Sequence, residues 1–347
     1  MNRMSLRLFL LVLMAICWQL LPDSAYAATS NVTCSTTVTS VNFGTVSPTT
    51  TATATATGSI QFTCTNASLL AAQNVTLCLG LGQGSGTSIT PTRQMNTAPV
   101  VSALQFQVYK DSATTQIWGN VPSSSNPAPL MLQFTIPISI LNFPTTYTSS
   151  PSVYGSLSTP QSGVVSGSYS NALNGSLTYQ ANDAPLLGTN YPANCNGGTP
   201  VGFTLTAQAN VPAQCTVSAG STLILGSAGG VAAGTVNSTG STTFGVTCTN
   251  SAPYTVGLAP NSVAGTAGAG LMSGTGSNTN KVPYQLNKTS ATGPIWGNTA
   301  SSPTVAGNGV AGTGNGSVTT YTVYATAPSS DFKPDTYSDT VTINVNY

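Results

Sequence analysis

The feature that most constrains this chain is an internal repeat. The four residues Ile-Trp-Gly-Asn occur twice, beginning at Ile117 and again at Ile295. The flanking sequences stay in register, since Phe62–Asn66 (Phe-Thr-Cys-Thr-Asn) corresponds to Val246–Asn250 (Val-Thr-Cys-Thr-Asn). Self-similarity at a fixed spacing indicates repeated structural units. The sequence therefore predicts two copies of one domain.

The copies occupy residues 28–198 and 205–347, and residues 199–212 join them as a linker or leading strand. Each copy is large enough to enclose one hydrophobic core. Polar and apolar residues alternate through Thr340–Tyr347 and Phe134–Ile140, and clusters of Gly, Pro, Asn and Ser separate such segments. This pattern predicts an all-β chain made of two immunoglobulin-like, antiparallel β-sandwich domains.

The content of charged residues is far below that of an ordinary soluble domain. Seven Lys or Arg and six Asp make up 4% of the 347 residues, and the chain has no histidine, whereas about 25% charged residues are usual. Without histidine, Ser-His-Asp sites, Cys-His sites and His-ligated zinc are excluded. A net charge near zero offers no electrostatic basis for binding nucleic acid. We predict a protein that is not an enzyme, with no catalytic residues, metal or cofactor.

The first 27 residues have the pattern of a signal peptide. Arg3 and Arg7 precede an apolar run from Leu8 to Cys17, and Ala25–Ala27 forms an A-x-A cleavage site. The run is shorter than the ~20 residues of a transmembrane helix. We predict cleavage after Ala27 and export of the mature chain.

Six cysteines remain after this cleavage, and an even number in an exported chain indicates disulfides. Several pairings are possible from the count alone. The register of the repeat favours one set: Cys34–Cys64, Cys215–Cys248 and, by elimination, Cys78–Cys195.

The segment that joins the two copies alternates strictly between apolar and polar residues. Its apolar face contains five side chains: Phe203, Leu205, Ala207, Ala209 and Val211. At the corresponding place in the first copy, only a short lead from Ala28 precedes Cys34. The second copy therefore has a leading strand that the first copy lacks. The alternative is an ordinary linker strand between two complete domains.

Several of these residues resemble one known family. The Trp-Gly-Asn segment, the paired cysteines and the final strand that follows Tyr337–Thr340 (Tyr-Ser-Asp-Thr) are similar to the spore coat protein U domain. That domain builds the subunits of archaic, Csu-type chaperone–usher pili, and the two-copy layout resembles the tip adhesin of such pili. The first copy departs from the pattern at Asn171 and Ala172, where the family has Asp-Thr, and in its two unmatched cysteines.

The resemblance implies a mechanism of assembly. In such pili each subunit is an incomplete sandwich that the N-terminal extension of the next subunit completes, an extreme form of β-strand addition. Residues 203–211 would then be a donor strand that completes domain 1 in cis. Domain 2 would present an open groove, filled first by a periplasmic chaperone and later by the next pilin subunit. The resemblance also implies an outer-membrane usher as a partner and a final position at the pilus tip, outside the cell.

Apolar residues in segments that differ between the copies predict a contact surface, because exposed apolar clusters in an exported protein usually bind something. The segments are 67–72, 97–103 and 144–165. The candidate surface-binding residues are Leu69, Leu70, Val100, Val101, Val153, Tyr154, Leu157, Val164 and Val165. We expect them to attach the protein to apolar, abiotic or host surfaces and to support biofilm formation. The alternative is that they fold back onto the sandwich.

Two other functions remain compatible with the sequence. The chain could be a structural pilus-shaft subunit or an extracellular coat protein built from the same domain. It could also be a carbohydrate-binding pilus lectin whose loop Tyr and Asn residues hold a sugar.

Overall fold

The computed structural model describes residues 31–347 except for 85–87, 99–101, 121–126, 142, 196–198, 227–229 and 264. Across these ranges the chain folds into nineteen strands and no helix, so they contain no helix that could cross a membrane. The predicted all-β fold class is confirmed. The predicted signal peptide, residues 1–27, lies outside the described residues.

Domain 1 contains eleven strands around one hydrophobic core. The strands are β1 (Val32–Val38), β2 (Val41–Thr45), β3 (Ala52–Asn66), β4 (Gln73–Leu81), β5 (Arg93–Asn96), β6 (Ala103–Tyr109), β7 (Leu130–Ile136), β8 (Thr145–Ser149), β9 (Ser152–Thr159), β10 (Gly167–Asp183) and β11 (Val201–Val211). One layer contains β1, β3, β8, β9, β6 and β5, and the other contains β7, β4, β10, β11 and β2. A single residue pair, Ser170 with Asn96, joins the layers.

Domain 2 contains eight strands in two separate sheets. The strands are β12 (Cys215–Ser218), β13 (Val236–Cys248), β14 (Pro253–Pro260), β15 (Ala269–Ser273), β16 (Lys281–Asn287), β17 (Val310–Thr313), β18 (Val318–Ser329) and β19 (Val341–Asn346). The five-stranded sheet has the order β12-β13-β18-β16-β15, and the three-stranded sheet has the order β17-β14-β19. Residues 205–211 lie in the core of domain 1, and the first strand of domain 2 begins at Cys215.

The repeated Ile-Trp-Gly-Asn segment has the same packing role in both domains. The indole Nε1 of Trp118 donates to Leu79 O at 2.7 Å, and that of Trp296 donates to Val256 O at 3.0 Å. Both indoles are buried. A Cβ at Gly119 would collide with the backbone of Pro127, so close approach of two backbone segments requires glycine there. The repeat is a core element of the sandwich.

The described residues contain three disulfides, and two of them are equivalent. Cys34–Cys64 joins β1 to β3 and Cys215–Cys248 joins β12 to β13, each across directly paired residues with Cα atoms 4.1 Å apart. The third bond, Cys78–Cys195, ties β4 to the segment between β10 and β11. That segment follows the outer face of β4, where Asn74 Nδ2 donates to Asn190 O at 3.4 Å and Thr76 Oγ1 donates to Pro192 O at 2.6 Å.

A short linker brings domain 2 against the base of domain 1. Residues 212–214 separate β11 from β12. Asn250 Nδ2 donates to Gly163 O at 2.9 Å, and Asn250 also forms an isolated parallel bridge with Val165. Gln214 Nε2 reaches Thr49 Oγ1 at 3.3 Å. The end of domain 1 that holds Gly163 and Thr49 is called the base below.

A buried arginine connects several strands in the core of domain 1. Arg93 donates to four acceptors, which are Gly82 O (3.0 Å), Leu81 O (2.9 Å), Trp118 O (2.6 Å) and Gln107 Oε1. All of its partners are neutral, and burial lowers the pKa of the Arg93 guanidinium to about 10. Its contribution is therefore to satisfy backbone carbonyls that the surrounding strands leave unpaired.

We expect Arg93→Met to lower the free energy of unfolding of domain 1 by about 3 kcal/mol or more, because it leaves several buried acceptors without a donor. After signal cleavage each domain has one tryptophan, so the emission of Trp118 reports on domain 1 and that of Trp296 on domain 2. In urea titrations the unfolding transition of domain 1 should move to a lower urea concentration, and the transition of domain 2 should not change. Lys110→Met, which removes a cation nearer the surface, serves as the control and should change stability by less than about 0.5 kcal/mol. Equal effects of the two substitutions would contradict this assignment.

Candidate functional site

Strand β11 fills the space between β10 and β2 in domain 1. It runs antiparallel to β10 from Gly167↔Val211 to Leu177↔Val201, and parallel to β2, where Ala207 pairs with Val41. Its apolar face consists of the five residues singled out in the sequence: Phe203, Leu205, Ala207, Ala209 and Val211. The last four are buried in the core, and half-buried Phe203 stacks on Trp118 with ring centroids 6.5 Å apart. The segment is thus an integral strand of domain 1.

The corresponding part of domain 2 is open. Its final strand, β19, pairs with β14, and no strand among the described residues pairs with its other edge. Val341, Ile343 and Val345 remain half-buried, whereas Leu173 and Leu177 of β10 are fully buried. Among the described residues domain 2 has no counterpart of β11, so an uncovered apolar groove lies beside β19.

The opposite wall of this groove is the segment 221–225. It contributes half-buried Leu223 and Leu225 to the core of domain 2, but it forms no strand. The equivalent segment of domain 1 is β2, which is a strand because it pairs with β11. The apolar space between β19 and this segment, which β11 fills in domain 1, is bordered by the edge of β19 that is unpaired among the described residues. We call it the domain 2 groove.

Polar contacts fix the rim of the domain 2 groove. Asp339, just before β19, accepts from Tyr284 Oη at 2.8 Å and from Ser262 Oγ. Burial, and then the hydrogen bond to this carboxylate, raises the pKa of the Tyr284 phenol. Hydrogen bonds from Thr275 and Asn278 hold the pKa of the Asp335 carboxyl well below its usual range. These contacts fasten the chain before β19 to β16 and to the β15–β16 turn.

In domain 1, Asn171 stands where domain 2 has Asp339. Asn171 is buried in β10, and its Nδ2 donates to Gln83 O at 3.1 Å and to Gln94 O at 2.8 Å. An amide can donate to these carbonyls, whereas a carboxylate cannot. The departure from the family pattern thus fits a site whose neighbours are backbone acceptors.

Three loops of domain 1 meet at the end opposite the base. They are the β3–β4 loop (67–72), the β7–β8 loop (137–144) and the start of the β10–β11 connection (184–187). Backbone hydrogen bonds join them, from Ser139 N to Ser68 O and from Ala184 N to Ala72 O, both at 2.8 Å. Asn66 Nδ2 donates to both Ala71 O and Pro137 O. We call these three loops the apolar tip.

The apolar tip exposes large hydrophobic side chains. Leu70 is 97% exposed, Leu141 84%, Phe143 75% and Leu187 91%. The full set is Leu69, Leu70, Ile138, Ile140, Leu141, Phe143, Leu186 and Leu187. In domain 2 the loop between β17 and β18 is Gly314–Ser317 (Gly-Asn-Gly-Ser), which has no apolar side chain of this size. The exposed cluster is therefore specific to domain 1.

Part of the predicted contact surface is wrong. Val153, Leu157, Val164 and Val165 are buried, and so cannot meet an external surface. Val153 and Leu157 lie in β9, whose alternate residues face the core, and Tyr154 between them is half-buried. Leu69 and Leu70 are exposed as expected. Val100 and Val101 lie outside the described residues.

Ser102 and loop 67–72 lie at opposite ends of domain 1. Val165 N donates to Ser102 Oγ at 3.3 Å, and both residues lie beside Gly167, where β10 begins at the base. Loop 67–72 lies at the other end of β10, next to Asp183. The 17 residues of β10 separate these ends by roughly 50 Å. Segment 144–165 is mostly strand because β8 and β9 extend the pairing of β3.

Sequence reasoning missed six tip residues, Ile138, Ile140, Leu141, Phe143, Leu186 and Leu187. Alternation through Ile136, Ile138 and Ile140 suggested a strand to Ile140, but β7 ends at Ile136. Pro137 has no N–H to donate to a ladder, so the strand stops there. The signal that could have identified the loop is an apolar run bounded by Pro137 and Pro144.

Metal-ligating side chains do not cluster in the described residues. These residues contain no group of three or more Cys, Asp or Glu side chains that could hold a metal ion. A cavity of about 540 Å³ beside Cys78–Cys195 is lined by Lys110 and Gln116 without a carboxylate. Paired acid–base catalysis needs two titratable groups in one cleft.

The chain contains two tandem β-sandwiches. In domain 1 the strand β10 is paired on both sides, whereas the equivalent strand β19 of domain 2 is paired on one side among the described residues. These features define a two-domain protein of the pilin type. The model of the Spore Coat Protein U domain matches residues 23–175 and again residues 201–344. The chain belongs to the Spore Coat Protein U domain family, and both halves are domains of this type. No curated protein matches the chain.

Two solved structures are similar in part. One is a chain of the CsuC–CsuE chaperone–tip adhesion subunit pre-assembly complex from archaic chaperone-usher Csu pili of Acinetobacter baumannii. It has 16% identity and a TM-score of 0.45, and the match covers 91% of this chain and 100% of that one. The other is the CupB6 tip adhesin from Pseudomonas aeruginosa, with 10% identity, a TM-score of 0.39, and coverage of 91% and 93%.

Proposed function

We propose that this chain is a non-enzymatic tip adhesin subunit of an archaic chaperone–usher pilus. Domain 1 attaches to surfaces through the apolar tip and so supports biofilm formation. Domain 2 joins the fibre by accepting a donor strand from the next subunit. The observation that carries the proposal is the difference between the copies: the chain itself supplies β11 to domain 1, while the domain 2 groove is open.

The contacts of β11 suggest how the domain 2 groove is filled. A donor strand placed like β11 would run antiparallel to β19 and parallel to 221–225. Its alternate apolar residues would cover Val341, Ile343 and Val345, which are half-buried without it. Main-chain hydrogen bonds on both edges would give the affinity, and the apolar pockets would give the register. A periplasmic chaperone would fill the groove before the next subunit does, after export of the chain and before assembly at an outer-membrane usher.

The composition of the apolar tip supports attachment to apolar or abiotic surfaces. Eight large apolar side chains extend from three loops that are joined by hydrogen bonds. These exposed side chains therefore form one cluster and are not isolated residues. Exposed clusters of this kind mark interaction sites. Burial of apolar area contributes about 25 cal/mol per Å² before the cost of association. The loops carry no charged residue, so contact with an apolar surface strips little ionic hydration.

The position of the subunit tests this function directly. Gold-labelled antibody against domain 1 should mark one end of each fibre in electron micrographs. Label along the fibre would instead support a shaft or coat role and contradict the proposal.

A matched pair of variants extends the same experiment to the domain 2 groove. Val345→Asp places a charge in the groove, so the subunit should be missing from fibres and the end label should be lost. Val236→Asp adds the same charge at an exposed position of β13 and should leave the label unchanged. Trp296 emission verifies that domain 2 is folded in both variants.

A further inference from the structure

The first half of β3 has one edge that faces solvent. Residues 52–59 pair with β9 on one side. On the other side β1 pairs with residues 60–66 and ends there, so that within the described part of the chain no strand pairs with residues 53–57 on that side. This stretch is called the β3 edge.

The direction of the backbone groups follows from the neighbouring Ser59. Ser59 N donates to Thr39 Oγ1 at 2.7 Å and Ser59 O accepts from Thr39 N at 3.0 Å, both on the side away from β9. Backbone groups alternate in direction along a strand, so those of Thr53, Thr55 and Thr57 point the same way as those of Ser59. The β3 edge thus offers three N–H and three C=O groups without a protein partner in the described residues.

Domain 2 covers its equivalent edge. There residues 220–226 lie along β13, where Gly226 N donates to Thr239 O at 3.0 Å and Thr242 Oγ1 donates to Ser221 O at 2.7 Å. In domain 1 the corresponding residues form β2, which pairs with β11 instead. Incorporation of β11 therefore coincides with exposure of the β3 edge.

The sequence of the β3 edge lacks the devices that usually protect such edges. Proteins block exposed edges with charged residues, proline, bulges or covering segments. Residues 53–57 read Thr-Ala-Thr-Ala-Thr, and strands β1, β3, β8 and β9 of this face carry no charged residue. Threonine favours extended structure, and a segment of this kind is suited to pair with another chain.

We propose that two copies of this chain pair through the β3 edge, antiparallel and about a two-fold axis at Thr55. The sequence Thr-Ala-Thr-Ala-Thr reads the same in both directions, so an antiparallel copy presents an identical, self-complementary edge. Thr55 then lies opposite Thr55 of the second copy, and Thr53 lies opposite Thr57. The three pairs exchange about six backbone hydrogen bonds, and threonines on one face form cross-strand contacts.

Such pairing leaves the apolar tip accessible. The β3 edge lies in the half of β3 nearer the base, whereas loop 67–72 follows Asn66 at the other end of the strand. Along β3 the distance from Thr55 to Asn66 is roughly 35 Å. The inference rests on the geometry of domain 1 and does not depend on the proposed function.

Cysteine substitutions in the full mature chain test the register. The six described cysteines are all in disulfides, so a new thiol adds a single reactive group. Oxidation should link Thr55→Cys to itself, because Cα atoms of a hydrogen-bonded pair are ~5.5 Å apart, within disulfide range. Thr53→Cys should not link to itself but should link to Thr57→Cys when the two variants are mixed. Thr146→Cys, exposed on β8 of the same face, is the control and should remain unlinked.

Backbone substitution tests the same edge without cysteine. Thr55→Pro removes the outward N–H from both copies and leaves the ladder to β9 intact. In sedimentation experiments it should weaken dimerisation about tenfold or more, since two hydrogen bonds are lost. Thr55→Ala keeps both backbone groups and should dimerise like the parent chain.

Three results would overturn the proposal. They are a parent chain that stays monomeric at high concentration, a dimer that Thr55→Pro leaves unchanged, and self-linking of Thr53→Cys as fast as that of Thr55→Cys. A dimer formed through the domain 2 groove would give the second result. If Trp118 emission shows that Thr55→Pro does not fold, the pattern of cross-links among the cysteine variants tests the proposal instead.

Discussion

A chain carrying Leu205→Asp is expected to lose the folded structure of domain 1 while domain 2 stays folded. Leu205 is fully buried at the centre of β11, opposite Leu173 of β10. Removing a buried leucine side chain alone costs about 2–5 kcal/mol, and a buried carboxylate without a partner adds a large desolvation penalty. The sum approaches the total stability of a typical domain, about 5–15 kcal/mol. Trp118 emission and proteolysis of domain 1 would measure the loss, with Trp296 as the internal reference.

The control lies one residue away on the same strand. Thr204 is exposed, so Thr204→Asp adds the same charge and should leave domain 1 folded. A synthetic peptide of residues 201–211, added during refolding of the Leu205→Asp chain, should restore the emission of Trp118 by occupying the place of β11. A domain 1 that folds normally in the Leu205→Asp chain without the peptide would show that β11 is a dispensable linker.

The second large effect is expected at the apolar tip. The triple substitution Leu70→Ser, Leu141→Ser and Phe143→Ser should reduce attachment to polystyrene by at least about tenfold, because each buried apolar side chain contributes about 1.5–3 kcal/mol and about 1.4 kcal/mol is tenfold. Assembly and fibre length should not change, since the three side chains are exposed and lie far from the domain 2 groove. Counting attached cells or purified fibres per unit area gives the measurement.

A second triple variant controls for the general loss of surface hydrophobicity. Val236, Val305 and Val318 are exposed apolar residues of domain 2, and their replacement by serine should leave attachment unchanged. Equal losses for both triples would show that attachment depends on overall hydrophobicity and not on the apolar tip. If a glycan binds the tip variant as tightly as it binds the parent chain, the glycan-binding site lies outside the apolar tip.

Patterns that involve one strand or two aligned copies could be read from the sequence. The two Ile-Trp-Gly-Asn segments, with Trp118 and Trp296, gave the register of the repeat, and alternation through Phe203–Val211 gave a strand with the correct apolar face. Such signals are local, because a strand with one buried face must alternate with a period of two.

The location of the loops could not be read in the same way. Whether Val153 or Leu70 reaches solvent depends on which strand lies beside it, and that is a property of the whole sheet. Alternation through Val153, Gly155 and Leu157 marks the strand β9, but the apolar residues alone are equally compatible with an apolar loop, and Pro137 ends β7 within a run of alternating residues. The apolar tip combines loops from residues 67 to 187, and only the pairing of β4 with β7 and β10 brings them together.

The antiparallel ladder between β10 and β11 also determines how the molecule bears tension. When the tip is held and domain 2 is pulled, the force enters β11 at Val211 and acts along the strand, so the ladder from Val211 back to Val201 is loaded in shear and its hydrogen bonds resist together. If β11 separated from the sheet, it would still be attached to domain 1, because Cys195 upstream of β11 forms a disulfide with Cys78 on β4. Under the proposed function, drag on a fibre in flowing liquid would therefore pass through the sheet to the apolar tip, and domain 1 would stay folded under that load.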